Sequence, residues 1–233
     1  MKRKSFTIAE ILVTLAIIGV VAAMTMPVIY VKYKEQITIV KVKKTYSVLS
    51  QAFKLAGAHN DRVDLWNFEE EYSKESADEF WSHLKQYFLI AQDCGDKREC
   101  YADTPVKKLN GQNQASYNLL DSYYKVILND GISLWFRTGS GERCTATEGG
   151  IDNVCAVFWI DTDGIKGANT LGRDVFIFVA TQDGVVPYKS DSNGNDTCNM
   201  QGSGTSCAQY IIKNGKMDYI KHNIQEIIDN LNP

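Results

Sequence analysis

The chain opens on an apolar run in which charge is almost absent. From Phe6 to Met26 there are 21 residues, and Glu10 is the one charged side chain among them. As an α-helix this run is about 31 Å long, which matches the roughly 30 Å hydrocarbon core of a bilayer. After Pro27 the pattern changes. Ile39, Val42, Tyr46, Leu49, Phe53 and Ala56 recur at alternating spacings of three and four, with Lys34, Lys41, Lys43, Lys44 and Lys54 around them. This predicts an amphipathic continuation of the same helix, kinked but not ended at Pro27 and closing near Gly57. Ser76-Ala77-Asp78-Glu79 reads as a capping box that opens a second helix, with Phe80, Trp81, Leu84, Phe88 and Ala91 running towards Cys94. Strand patterns then take over. Tyr124 to Leu128 and Ile132 to Arg137 flank the turn Asn129-Asp130-Gly131, while Val154 to Ile160, Val175 to Ala180 and Ala208 to Lys213 are rich in β-branched and aromatic residues. The tail positions Ile220, Ile224, Ile227 and Leu231 are helix-spaced. Helices, then a mainly antiparallel sheet, then a closing helix make an α+β fold.

At 233 residues and 44% hydrophobic content the chain can bury a sizeable core. Its formal net charge is -3, and basic residues cluster only at Lys2 to Lys4 and in Lys41 to Lys44, so no nucleic-acid partner is predicted. The six cysteines fall in local pairs without C-x-x-C spacing, and His59, His83 and His222 are scattered, which argues against zinc or a redox motif. Disulfides fit better. Fifteen full connectivities are open to six cysteines. Nearest-neighbour pairing, Cys94 with Cys100, Cys144 with Cys155 and Cys198 with Cys207, closes a short polar loop each time and is the expected one. The compartment agrees: Lys2, Arg3 and Lys4 hold the N-terminus in the cytoplasm, which sends everything after Pro27 outward, where disulfides form.

A basic start, an apolar middle and Val21-Ala22-Ala23 also describe a removable signal peptide. Glu10 argues against it, because a carboxylate inside such a segment costs on the order of 3 kcal/mol and is by default functional. The run Ser5-Phe6-Thr7-Ile8-Ala9-Glu10-Ile11-Leu12-Val13-Thr14-Leu15 resembles the processing and methylation motif of type IV prepilins and type II secretion pseudopilins, and the likeness continues through the apolar helix to Pro27. One departure is Ser5, where the family usually has Gly before the scissile bond.

The resemblance implies a type IV pilin-like fold, in which a long N-terminal helix packs on a mainly antiparallel head. It implies division into a leader at 1–5, a membrane-spanning assembly segment at 6–26, an amphipathic half-helix at 27–58 and an exported head at 59–233, with Asn60 to Asp64 as the joint. A prepilin peptidase is expected to cut between Ser5 and Phe6 and the new Phe6 amine to be methylated. Other pilin or pseudopilin subunits, an inner-membrane assembly platform and membrane lipid are the expected partners. The location is the inner membrane, single-pass with the head outside, and then a pilus or pseudopilus. Phe6 and Glu10 are the expected assembly residues: one subunit's Phe6 ammonium meets another's Glu10, which offsets the cost of both charges in hydrocarbon. An intrachain contact of Glu10, or its snorkelling to the headgroups, is the plainer alternative.

One loop of the head suggests chemistry. Asp161-Thr162-Asp163-Gly164 leads through Asn169 to Asp174, and clustered oxygen ligands on a Gly-rich loop suit a hard cation. Calcium held by Asp161, Asp163, Asn169 and Asp174 is therefore a candidate cofactor, against the alternative that these carboxylates cap a turn or pair with Arg173. There is no phosphate-binding loop, H-E-x-x-H or G-x-S-x-G, so no enzyme is expected. The head is larger than a bare major pilin needs, which leans towards a minor pilin or pseudopilin. The competing class is a membrane-tethered binding protein or adhesin whose anchor is incidental.

Overall fold

Helix α1 (Ile8–His59) runs for 52 residues with Pro27 inside it. The computed structural model describes residues 7–66, 73–102, 104–114, 122–139, 144–167, 169–191 and 194–220. The chain divides into two units, Met1–Ile37 with Lys221–Pro233, and Thr38–Ile220. In the first, α1 is long and apolar enough to cross a membrane. Ile8, Leu12, Leu15, Ile18, Val21 and Met24 are all exposed, as suits side chains that meet lipid rather than a protein core. The expected tail helix lies outside the described residues beyond Ile220.

In the second unit the periodicity of α1 becomes packing. Ile39, Val42, Leu49, Phe53 and Ala56 are buried as their spacing predicts, joined by Thr45 and Ala52. Tyr46 is half-buried and stacks on Phe178 at 5.6 Å. Phe53 stacks on Trp66 and meets Phe80 and Phe158 within 6 Å, so one aromatic side chain ties α1 to α2 (Lys74–Leu84) and to the sheet. The end of α1 falls at His59, not at Gly57, which lies inside the last turn with no special backbone angle. The segment after it is packed: Val63 and Trp66 are buried, and Trp66 Nε1 donates to Asp61 O at 2.7 Å.

The described residues form seven strands: β1 (Ile90–Gly95), β2 (Tyr124–Leu128), β3 (Ser133–Thr138), β4 (Ala146–Glu148), β5 (Ile151–Asp161), β6 (Val175–Thr181) and β7 (Gly184–Pro187). They pair antiparallel in the order β1-β2-β3-β5-β6-β7, with β4 on β5. The β2–β3 turn is the one the sequence signals. Leu128 O accepts from Gly131 N at 2.9 Å, and Gly131 supplies the positive φ of 81° that a three-residue hairpin loop needs.

Both faces of the sheet are buried. Phe136, Phe158, Ile160, Phe176 and Phe178 face the helices. Trp135, Val157, Trp159, Ile177 and Val179 form a second cluster on the other face, with Val106 and Leu171 among the loop residues that cover it. A sheet covered twice reads as unbroken apolar strands, which is why all seven residues of β6 are buried.

Three further expectations are corrected. The second helix starts at Lys74, and its N-cap is Ser73, whose side chain accepts from Ser76 N at 3.0 Å; Ser76 is inside the helix, so Ser76 to Glu79 is not its capping box. This helix also stops at Leu84, passes through a single 3₁₀ turn (Lys85–Tyr87) and gives way to β1. Pairing with β2 wins there over helix spacing: Asp93 accepts from Tyr124 OH at 2.8 Å and pairs with Lys85 at 2.9 Å. Finally, Ala208 to Lys213 is not a strand but part of α3 (Cys207–Asn214), with Cys207, Ala208 and Ile211 buried on one face. Gly215, at φ 66°, ends it in the left-handed conformation that closes helices.

Candidate assembly and processing site

The first turn of α1 carries a reciprocal cap. Thr7 N and Thr7 Oγ1 each donate to Glu10 Oε2 at 2.8 Å, and Glu10 N donates back to Thr7 Oγ1 at 3.3 Å. Thr7-Ile8-Ala9-Glu10 is thus a capping box of the T-x-x-E form, which satisfies amides that no carbonyl of the helix can reach. The local sequence dictates it, although the reading above gave Glu10 no capping role. The intrachain contact is present in the single chain, and both Thr7 bonds fall on one oxygen of the carboxylate. Ser5 and Phe6 lie outside the described residues.

The head loop is built on the end of β5. Asp161 is completely buried, and its Oδ1 accepts from Asp163 N at 3.1 Å and Gly164 N at 3.3 Å. Gly164 has φ 74°, and a Cβ there would lie 2.3 Å from Gly131 O, so glycine is required for the loop to rest on the β2–β3 turn. Asp174 Oδ1 accepts from Thr170 N at 2.5 Å, while Asp174 O accepts from Thr162 N at 2.9 Å. Lys41 of α1 donates to Thr162 O, which ties the loop to the helix. The carboxylates cap backbone amides, as in the turn alternative.

One polar side chain there is left over: among the described residues both amide atoms of Asn169 are buried without a hydrogen-bond partner. Asp161 Oδ2 is also buried, beside the Asp163 carboxyl. Burial, with Asp163 and Asp174 close by, pushes the Asp161 carboxyl up to about 10. Burial also lifts Asp174 to about 7, against the lowering effect of the Thr170 amide. Among the described residues no three His, Cys, Asp or Glu side chains come together to hold a metal ion.

The three disulfides are Cys94–Cys100, Cys144–Cys155 and Cys198–Cys207, and the described residues contain no free cysteine. Sequence reasoning missed two functional-looking features of the head. Lys125 is fully buried within β2, and Arg137 binds both oxygens of Glu148 at 2.6 and 2.8 Å. The apolar neighbours of Lys125 in Tyr124 to Leu128 were the available signal, since a lysine inside a buried strand needs partners.

No curated protein and no solved structure shows significant similarity to this chain. The family model described as the prokaryotic N-terminal methylation motif matches residues 1–26, and the chain therefore carries the prepilin-type cleavage and methylation signature.

Proposed function

We propose that this chain is a structural subunit, a minor pilin or pseudopilin, of a type IV pilus or type II secretion pseudopilus. The signature at residues 1–26 supports an exported pilin-like protein that is processed by prepilin peptidase and assembles with other subunits. The observation that carries the finer reading is Glu10, a carboxylate inside the apolar segment. Both Thr7 donors use Oε2, which leaves Oε1 to receive the Phe6 ammonium of a neighbouring subunit. Pairing offsets the cost of two charges in hydrocarbon and sets the register of each incoming chain. Assembly on an inner-membrane platform follows from this reading.

Mass spectrometry of membrane-extracted protein tests it. The expected chain begins at Phe6 and carries one added methyl group, and replacing Ser5 with Phe leaves the precursor uncut. Cleavage after Ala23 overturns the reading in favour of a conventional signal peptide. A tethered binding protein or adhesin predicts instead only isolated membrane monomers.

Calcium at Asp161, Asp163, Asn169 and Asp174 is a second, separate proposal, and it requires the three carboxylates to gather more closely than they do in the single chain. It rests on Asn169 Oδ1, a buried oxygen without a hydrogen-bond partner among the described residues, of the kind a hard cation takes. Thermal unfolding across a chelator series tests it, and an unchanged midpoint removes the ion.

A further inference from the structure

We propose that the Cys94–Cys100 disulfide and the buried ammonium of Lys125 form one latch on the edge strand β1, so that closing this edge is coupled to oxidation of the cysteine pair. Lys125 is fully buried, and its Nζ donates to Tyr123 O and to Asp96 O, each at 2.9 Å. Asp96 belongs to the short loop that the disulfide closes. That loop hangs from an irregular part of the ladder: among the described residues β1 pairs with β2 alone, and its register shifts between Asp93 and Gly95, immediately before Gly95 meets Lys125. A backbone carbonyl among the five residues between the bridged cysteines therefore serves as an acceptor for a buried cation, at the edge of the sheet.

Reduction frees the loop, and the conformational entropy it regains draws Asp96 O away from Nζ. A buried ammonium that loses an acceptor is costly, so the β1–β2 end opens to admit water. Oxidation reverses this through thiol–disulfide exchange with a disulfide-bearing oxidant. One cysteine thiolate attacks the oxidant's disulfide and releases one thiolate. The second cysteine thiolate then attacks the mixed disulfide, forming Cys94–Cys100 and releasing the other. Two cysteine thiols are oxidised, two electrons pass to the oxidant and its disulfide becomes two thiols. The latch belongs to the head and does not depend on whether the chain assembles.

The test is hydrogen exchange on the full chain in detergent, read at Ile90–Gly95 and Tyr124–Leu128. Four forms are compared: the parent, Cys94→Ser with Cys100→Ser, Lys125→Met, and all three substitutions together. Removing the disulfide is expected to lower protection of these amides by about tenfold in the parent, and by less than about threefold when residue 125 is Met. Cys144→Ser with Cys155→Ser is the control, with the same loss in either background. Equal losses from the Cys94 and Cys100 substitutions in both backgrounds, or no loss in β1–β2, overturn the latch. If the serine variant does not fold, graded dithiothreitol reduction of the folded parent and Lys125→Met chains, with alkylation mapping, makes the same comparison.

Discussion

Glu10 serves its own helix in the single chain, and the reading proposed for it asks for a second partner. Replacing it with Val removes the carboxylate half of the N-terminal capping box, the acceptor for Thr7 N and Thr7 Oγ1, while making the segment more apolar. A plain anchor therefore inserts at least as well without it. The expected outcome is an unchanged cleaved band with filament or pseudopilus recovered by shearing reduced about tenfold or more. Glu10→Gln separates the two roles, because it keeps the acceptor for Thr7 and loses the charge. Filaments at parental level in the Val variant would falsify the assembly contact.

The loop carboxylates make a prediction at the same scale. Asp161 and Asp174 hold their protons more tightly when folded than when unfolded, because burial raises both. Their contribution to stability is fully present below the unfolded carboxylate range near pH 4 and is lost as pH rises through about 7 for Asp174 and about 10 for Asp161. In chelator, the thermal midpoint should fall between about pH 4 and pH 7 through both groups, and on towards pH 10 through Asp161 alone. Asp174→Asn, which keeps the acceptor for Thr170 N, should flatten the part of this fall that lies below about pH 7. Parallel pH profiles of parent and variant would remove Asp174 as the cause.

Among the elements, α1 gains most of its order from Thr38 onward by packing, and Phe53 is its main contact. The Phe53 ring touches Trp66, Phe80 and Phe158, so truncation to Ala opens a cavity that three rigid rings cannot refill. Phe53→Ala should cost about 3–5 kcal/mol, measured by denaturant unfolding followed by tryptophan fluorescence. Leu55 is half exposed on the same helix, and Leu55→Ala is expected to cost less than about 1 kcal/mol. Equal costs would mean that the apolar face of α1 does not hold the head. The disulfide-linked α3 shows the same logic in small: Ile211 is buried in the core and Gly215 closes the helix.

For the molecule as a whole, two units held by different solvents should not unfold together. The span from Ile8 to Ile37 has its backbone bonds inside one helix and needs only an apolar surround. Thr38–Ile220 depends on a core that denaturant and heat dissolve. In detergent, heating should abolish the near-ultraviolet signal of the buried tryptophans while a helical far-ultraviolet signal persists, so the transitions of the two probes will not coincide. Coincident transitions would mean one cooperative unit.

By itself the sequence determined the features that depend on near neighbours along the chain: the apolar helix with its carboxylate, the heptad-like face of α1 from Ile39 to Ala56, the Asp-Gly hairpin and the three short-range cysteine pairs. Each needs only a period, a turn residue or a small loop. The tertiary structure decided what competing local signals left open. Ile90–Gly95 became a strand because β2 offered it a ladder, and Cys207–Asn214 became a helix because Cys207, Ala208 and Ile211 share a buried face there. Burial on both sides of the sheet, and with it the enclosed side chains of Asn169 and Lys125, depends on loops that return from distant parts of the chain. Periodicity records which way a side chain points. It does not record what will cover it, and that covering is what turns a polar residue into a buried charge.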